Sequence, residues 1–258
     1  MHQQYVEIQG SSGILRGTAY LPETGEPRPV AVLCHGFGGT RWEGGLLPDI
    51  GRALAEKGVA ALAVDRTGQG ESDGSFFDVT VQRDVDDVEH ILDYARSLKE
   101  MDPQDVHLMG ISLGAVVATI VAALRPDQVR SLSLMSTACS FADEIRGGKL
   151  QGMPLFVIDE QGYLDFYGHR LGPAIVEASK DIDLFEAARG FQGPVRLLHG
   201  EKDFIPVEYV RRYLDVYGDQ ADLTVSPTAD HGWTNVSDRD LVESEIVNFI
   251  ARHARGVQ

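Results

Sequence analysis

Apolar positions in this chain fall into short continuous runs that alternate with helical stripes. Tyr5 to Gln9 and Ile14 to Leu21 are strand-like stretches around Gly10-Ser-Ser-Gly13, the pattern of a hairpin. Val30 to Cys34 is a short apolar run ending at His35-Gly36. Leu46 to Glu56 has helical periodicity and stops at Gly58, and Val59 to Val64 is a second apolar run ending at Asp65. Val79 to Leu98 carries Val81, Val85, Val88, Leu92 and Ala95 at three-to-four spacing, which predicts a helix. Val106 to Met109 predicts a strand ending at Gly110, Ala115 to Leu124 a helix of small residues, and Val129 to Met135 a further strand. After Pro194 the alternation continues with a strand over Val195 to Leu198 and a helix over Val207 to Val216. A strand over Leu223 to Ser226 and a helix from about Asp240 to His253 complete it.

Strands that are apolar on both faces and alternate with helices call for a mostly parallel sheet covered by helices. Ligands of such sheets bind beyond the carboxyl ends of the strands. Chemistry is therefore expected just after Cys34, Met109, Leu198 and Val225. The alternation lapses between about Cys139 and Gly190. That stretch holds Gly147-Gly148, Gly152, Met153-Pro154, the apolar Leu155-Phe-Val-Ile158, Tyr163, Phe166 and Tyr167. A loop of about fifty residues without structure is improbable. The expectation is a cap over residues 139–190, inserted into a core formed by 1–138 and 191–258.

Composition narrows the function classes. Among 258 residues, 39 acidic against 23 basic side chains give a formal net charge of −16. Such a surface repels phosphate backbones and anionic lipid, so nucleic-acid and membrane-surface binding are disfavoured. Cys34 and Cys139 stand in apolar surroundings, as buried thiols do, and no Cys/His spacing points to a metal. Neither a leader-like N-terminus nor an apolar run of membrane-spanning length is evident, so a cytoplasmic location is expected.

Gly110-Ile111-Ser112-Leu113-Gly114 lies between a predicted strand and a predicted helix. A sharp turn there would lift the Ser112 hydroxyl out of the sheet and aim helix N-terminal N–H groups at developing negative charge. A serine hydroxyl needs a general base. Of the eight histidines, His231, in the polar loop Ala229-Asp-His-Gly-Trp233 after the last strand, is the expected base. Asp203, after the strand that follows the gap in the alternation, is the expected orienting acid; Asp230, Glu201 and Asp143 are weaker alternatives. The order Ser112, Asp203, His231 matches that of the strand-turn-helix serine hydrolases. The oxyanion donors expected are the N–H groups of Leu113 and of Phe37, in His35-Gly-Phe-Gly-Gly39, with the Phe37 ring in a substrate pocket. Asp65 to Gly74 has neither phosphate-binding glycine signature and is expected to be a turn with an Asp65–Arg66 polar network. Asp84 to Glu89 is expected to be the solvated face of a helix.

With these residues the chain resembles the α/β-hydrolase superfamily, and within it the cinnamoyl/feruloyl esterase branch and its carboxylesterase relatives. The resemblance rests on His35-Gly-Phe-Gly38, Asp65 to Gly74, Gly110 to Gly114, His199-Gly-Glu-Lys-Asp203, Ala229-Asp-His231 and an insertion between the sixth and seventh core strands. It implies an eight-stranded α/β-hydrolase sheet and a cofactor-free, metal-free carboxylic ester hydrolase with a Ser112–His231–Asp203 triad. The family often has Gln after the nucleophile, where Leu113 stands here, which makes the pocket more apolar. Phe37, Asp143, Glu144, Tyr163, Tyr167 and Trp233 are the expected substrate contacts. The expected partner is a small-molecule ester, and a homodimer is compatible with the reading. Thioesterase, monoacylglycerol lipase, peptidase or acyltransferase chemistry would use the same triad; a non-catalytic ligand-binding module is the distant alternative.

Overall fold

The computed structural model describes residues 1–23 and 27–257. Strands β1 (His2–Gly10), β2 (Gly13–Leu21), β3 (Arg28–Cys34), β4 (Ala60–Val64), β5 (Met101–Ile111) and β6 (Ser131–Met135) open the chain. They alternate with helices α1 (Leu46–Glu56), α2 (Val81–Ser97) and α3 (Leu113–Leu124). Strand β11 (Val195–Gly200), α8 (Val207–Tyr217), β12 (Ala221–Ser226) and α9 (Val236–His253) close it. The eight core strands form one sheet in the order β1-β2-β4-β3-β5-β6-β11-β12. Strand β2 runs antiparallel to both neighbours, and every pairing from β4 to β12 is parallel. This is an α/β-hydrolase fold with helices on both faces.

The apolar runs are explained by two cores. Val30, Val32 and Cys34 point into one, with α2 and α3. Ala31 and Leu33 point into the other, with α1 and α9. A strand buried on both faces needs no polar alternation. Element ends follow caps that periodicity does not reveal. The Thr80 side chain accepts the Arg83 N–H and starts α2 two residues late, and Asn235 does the same for Asp238 and starts α9 early. Strand β5 reaches back to Met101, paired with Arg28 across a register shift.

Between β6 and β11 the chain builds short elements of its own, among them the strands β7 (Lys149–Leu150), β8 (Met153–Pro154), β9 (Leu164–Phe166) and β10 (His169–Leu171). Strands β7 and β8 pair, as do β9 and β10, each as a two-stranded sheet apart from the main one. Helices α4 (Phe141–Arg146), α5 (Val157–Gln161), α6 (Ala174–Ser179) and α7 (Leu184–Ala188) complete the segment. Phe141, Ile145, Leu150, Leu155, Phe166, Leu171 and Ile175 anchor it to the α2/α3 core.

Two expectations about charge are corrected. Asp65 and Arg66 do not pair with each other: buried Asp65 takes Arg41, and Arg66 takes Asp84 at 3.1 Å. Asp84 and Asp87 are buried, so the acidic run of α2 is not a solvated face. Their side chains point beneath the turn after β4, where Asp87 accepts the Thr67 N–H at 2.7 Å and its hydroxyl at 3.0 Å. The spacing of three places Asp84 and Asp87 on the same helix face as Val81, Val88 and Leu92.

Candidate active site

The sheet register aligns the carboxyl ends of β3, β5, β6 and β11, with Cys34 opposite Gly110, Ile111 opposite Met135, and Met135 opposite Leu198. The loops that leave these ends therefore meet. Ser112 occupies the turn from β5 into α3 with φ 55° and ψ −120°, a strained conformation for a residue with a Cβ. Its N–H donates to the Met135 carbonyl at 3.0 Å. The flanking glycines are needed for close approach. A Cβ on Gly110 would lie 2.3 Å from the Gly114 carbonyl oxygen, and one on Gly114 would lie 2.3 Å from the carbonyl oxygens of Cys34 and His35.

The loop after β12 brings His231 over Ser112. Its Nε2 lies 2.9 Å from Ser112 Oγ, and its Nδ1 lies 2.8 and 2.9 Å from the two carboxylate oxygens of Asp203. Nδ1–H donates to Asp203, which leaves Nε2 to accept from the serine hydroxyl. Asp203 is buried, and its Oδ1 also accepts the Ile205 N–H at 2.9 Å, which fixes the carboxylate plane. Asp230 instead accepts from Thr234, whose hydroxyl holds its pKa below the usual range. The Phe204 ring lies against the imidazole, 4.3 Å between centroids.

The loop after β3 is pinned from several directions. His35 is fully buried. Its Nδ1–H donates to Gly36 O at 2.8 Å, and its Nε2 accepts the Arg66 N–H at 3.1 Å. Burial holds its pKa well below the ordinary value, helped by the Arg66 charge, so the ring is a neutral strut. The Arg66 guanidinium donates to the carbonyls of His35 (2.8 Å) and Gly36 (3.2 Å). Gly36 N–H donates to Glu43 Oε1 at 2.9 Å, and Gly38 N–H to Gln69 Oε1 at 3.0 Å. With the N–H groups on both sides engaged, Phe37 N–H is the loop's candidate oxyanion donor, beside Leu113 N–H at the helix start. Asp84 lies behind this assembly. It meets Arg66 without hydrogen-bond alignment and accepts from Gln69 Nε2 at 3.3 Å. Burial pushes its pKa up to about 6, against the pull of Arg66.

A cleft of about 330 Å³, its open mouth included, leads to Ser112. Phe37, Leu113, Phe141, Leu150 and Phe204 make it apolar, while Glu144 and Gln151 add polar groups. The other expected substrate contacts scatter. Asp143 lines a neighbouring cavity and is bonded to Tyr209 and Arg146. Tyr163 lies under Arg170, and Tyr167 is 76% exposed against Phe166. Trp233 is a correction: it is fully buried in the α1/α9 core, where its ring N–H donates to Ser136 Oγ at 2.9 Å. An indole so enclosed cannot meet a substrate.

The sequence did not single out Phe76 or Glu43, and it showed Phe166 only as one of the aromatic residues of the insert. Phe166 packs on Phe37 with centroids 4.9 Å apart and Phe76 lies 5.3 Å from Phe37, but nothing in their spacing links them before folding. Glu43 had one signal, as an acidic residue just beyond a glycine-rich loop. Among the described residues, no group of three or more His, Cys, Asp or Glu could hold a metal ion, and no helix is long and apolar enough to cross a membrane. Cys34 and Cys139 are free and buried, and burial pushes the Cys34 thiol up to about 12.

A solved structure shares this arrangement of strands, and sequence relatives match parts of the chain. The structure of Est1E from Butyrivibrio proteoclasticus with bound ferulic acid superposes with a TM-score of 0.88, at 25% identity, covering 96% of this chain and 98% of that one. The quorum-quenching protein AidA of Acinetobacter baumannii is 33% identical over 148 residues, which is 55% of this chain and 45% of AidA. An uncharacterized 31.7 kDa protein of Escherichia coli is 35% identical over 97 residues, 38% of this chain and 33% of that protein. The matched segments thus span a third to less than half of these two relatives. The family described as serine aminopeptidase S33 matches residues 25–158, just over half of the chain, and this α/β hydrolase belongs to that family.

Proposed function

We propose that the protein is a serine esterase that cleaves carboxylic esters of small molecules through an acyl-enzyme. The observation that carries this reading is the continuous relay from Ser112 Oγ through His231 to Asp203, at 2.9 and 2.8 Å. In the first half-reaction Ser112 Oγ attacks the ester carbonyl carbon while His231 Nε2 takes the hydroxyl proton. Asp203 holds the ring orientation and balances the imidazolium. The N–H groups of Phe37 and Leu113 receive the oxyanion. Collapse breaks the carbon–oxygen bond to the alcohol, which leaves with the proton from His231. Water then attacks the acyl-enzyme by the same route and frees Ser112.

In this reading the insert between β6 and β11 caps the site and sets the substrate. The apolar cleft and the Phe37–Phe76–Phe166 cluster support an acyl or aryl group of short-to-medium length. The likeness to ferulic-acid-bound Est1E supports hydroxycinnamate esters within that range. Glu144 in the cleft favours a second reading, an aminopeptidase whose substrate ammonium meets that carboxylate. The test is a panel of p-nitrophenyl esters from acetate to octanoate, methyl ferulate and an amino-acid p-nitroanilide. The expected result is ester turnover that is lost in Ser112→Ala. Retained turnover in that variant, or cleavage of the anilide alone, would overturn the ester reading.

A further inference from the structure

Glu43 lies outside the Ser112–His231–Asp203 relay, yet its carboxyl group is enclosed beside it. A methyl placed on Gly36 would lie 3.4 Å from both Ser112 Cβ and Glu43 Oε1, so this glycine is sandwiched between the serine and the carboxyl group. Gly39 closes the other side: a Cβ there would stand 2.0 Å from Oε1. The backbone that delivers the side chain is unusual. Glu43 itself has φ 37°, followed by Gly44 at 59° and Gly45 at 94°. Glutamate is rare in the left-handed region and is kept there only where the surroundings impose it. Arg239 of α9 helps to impose it by donating to Gly44 O at 2.8 Å. The groups whose charge acts on the carboxyl are Arg66, from the turn after β4, and His231, from the loop after β12, whenever its ring is protonated. Burial holds its pKa above the ordinary carboxylate value, opposed by the Gly36 N–H, by Arg66 and by the His231 ring when it is protonated.

Resting on the serine-esterase reading above, we infer that Glu43 is a positioning residue for that site. Its carboxyl group pins the His35–Gly36 peptide, one residue before the Phe37 N–H that faces the oxyanion, and its negative charge stabilises the imidazolium that forms when His231 takes the Ser112 proton. The first role needs only an acceptor for Gly36 N–H, and the second needs a charge. As His231 accepts the Ser112 proton, a positive charge appears on the imidazole, and a carboxylate facing it lowers the barrier. A carboxylate favours a protonated imidazole near it, so removing the charge is expected to move the acid limb of activity to lower pH.

Glu43→Gln keeps the acceptor and removes the charge, while Glu43→Ala removes both. The readouts are kcat and kcat/KM for p-nitrophenyl acetate across pH, the rate of Ser112 labelling by a fluorophosphonate, and Tm. Glu43→Gln is expected to label and to keep its Tm, to lose about tenfold in kcat, and to move the acid limb of kcat/KM down by roughly one pH unit. Glu43→Ala is expected to lose about 100-fold in kcat with KM little changed, as loss of an oxyanion donor does. Where Glu43→Ala fails to fold, Glu43→Gln decides alone. Wild-type kcat with an unmoved acid limb in Glu43→Gln overturns the inference, as does a loss of Tm and kcat with the limb unmoved. Both results are read against a wild type that labels and turns over. A wild type that does neither overturns the esterase reading instead.

Discussion

The ion pairs around Ser112 and those of the insert between β6 and β11 are built differently. Arg66–Asp84 and Arg41–Asp65 are almost wholly buried, join residues far apart in sequence, and serve the loop after β3. Arg146–Asp143, Lys180–Glu177 and Arg189–Glu186 are exposed i,i+3 pairs on short helices. Exposed pairs of this kind contribute little, about 0.5 kcal/mol each, so the insert is held by the apolar contacts of Phe141, Leu150, Phe166 and Leu171. A buried charge, by contrast, is strongly destabilising unless its partner is correctly placed. The candidate site is therefore fixed in one geometry, whereas the insert can vary its surface at low cost. Such a division suits the proposed esterase, in which the Ser112 chemistry is constant and the insert sets the substrate.

Four substitutions test that contrast, beginning with the largest effect. Ser112→Ala should lower ester turnover on the order of a millionfold and leave Tm unchanged, as measured by initial rates and thermal melts. Gly114→Ala drives a Cβ into the carbonyls of Cys34 and His35. It should cost about 3 kcal/mol or more and at least 100-fold in kcat, and denaturant melts with steady-state kinetics would show both. Tolerance of this alanine would mean that the elbow is not tightly packed.

Asp84→Asn addresses the buried charges. A carboxyl whose pKa rises from about 3.9 unfolded to about 6 in the native state binds its proton more tightly when folded. Its contribution to stability is present below about pH 4 and is gone above about pH 6. The variant lacks this component. Its Tm relative to wild type should therefore rise between pH 4 and pH 7, on the order of 5 °C. A difference independent of pH would refute the assignment. The smallest effect is expected from Tyr167→Ala in the insert, within about 0.5 kcal/mol, because the ring is 76% exposed. A large loss of stability there would erase the contrast drawn above.

Much of this was legible in the sequence. Runs such as Val30–Cys34 and Val59–Val64 announce buried parallel strands, and the glycines around Ser112 announce a tight strand-to-helix turn. The order Ser112, Asp203, His231 is a linear property of the chain. Other features were hidden. The acidic face of α2 looks solvated because single residues do not say which side of a helix meets a turn 20 residues upstream; only packing put Asp87 beneath Thr67. Trp233 looked like a pocket residue because it neighbours His231, but positive φ at Trp233 (53°) turns its ring into the opposite core.

Local pattern thus determined the element types, the strand-end positions of Ser112, Asp203 and His231, and the presence of a segment that breaks the alternation. These depend on periodicity and on glycine sterics, which act over a few residues. Only the tertiary structure decided that Glu43 lies against Gly36, that Arg66 and Asp84 meet beneath the loop after β3, and that Phe166 reaches Phe37. Those contacts join distant segments through the register of the sheet, and no local pattern encodes which side chains that register brings together.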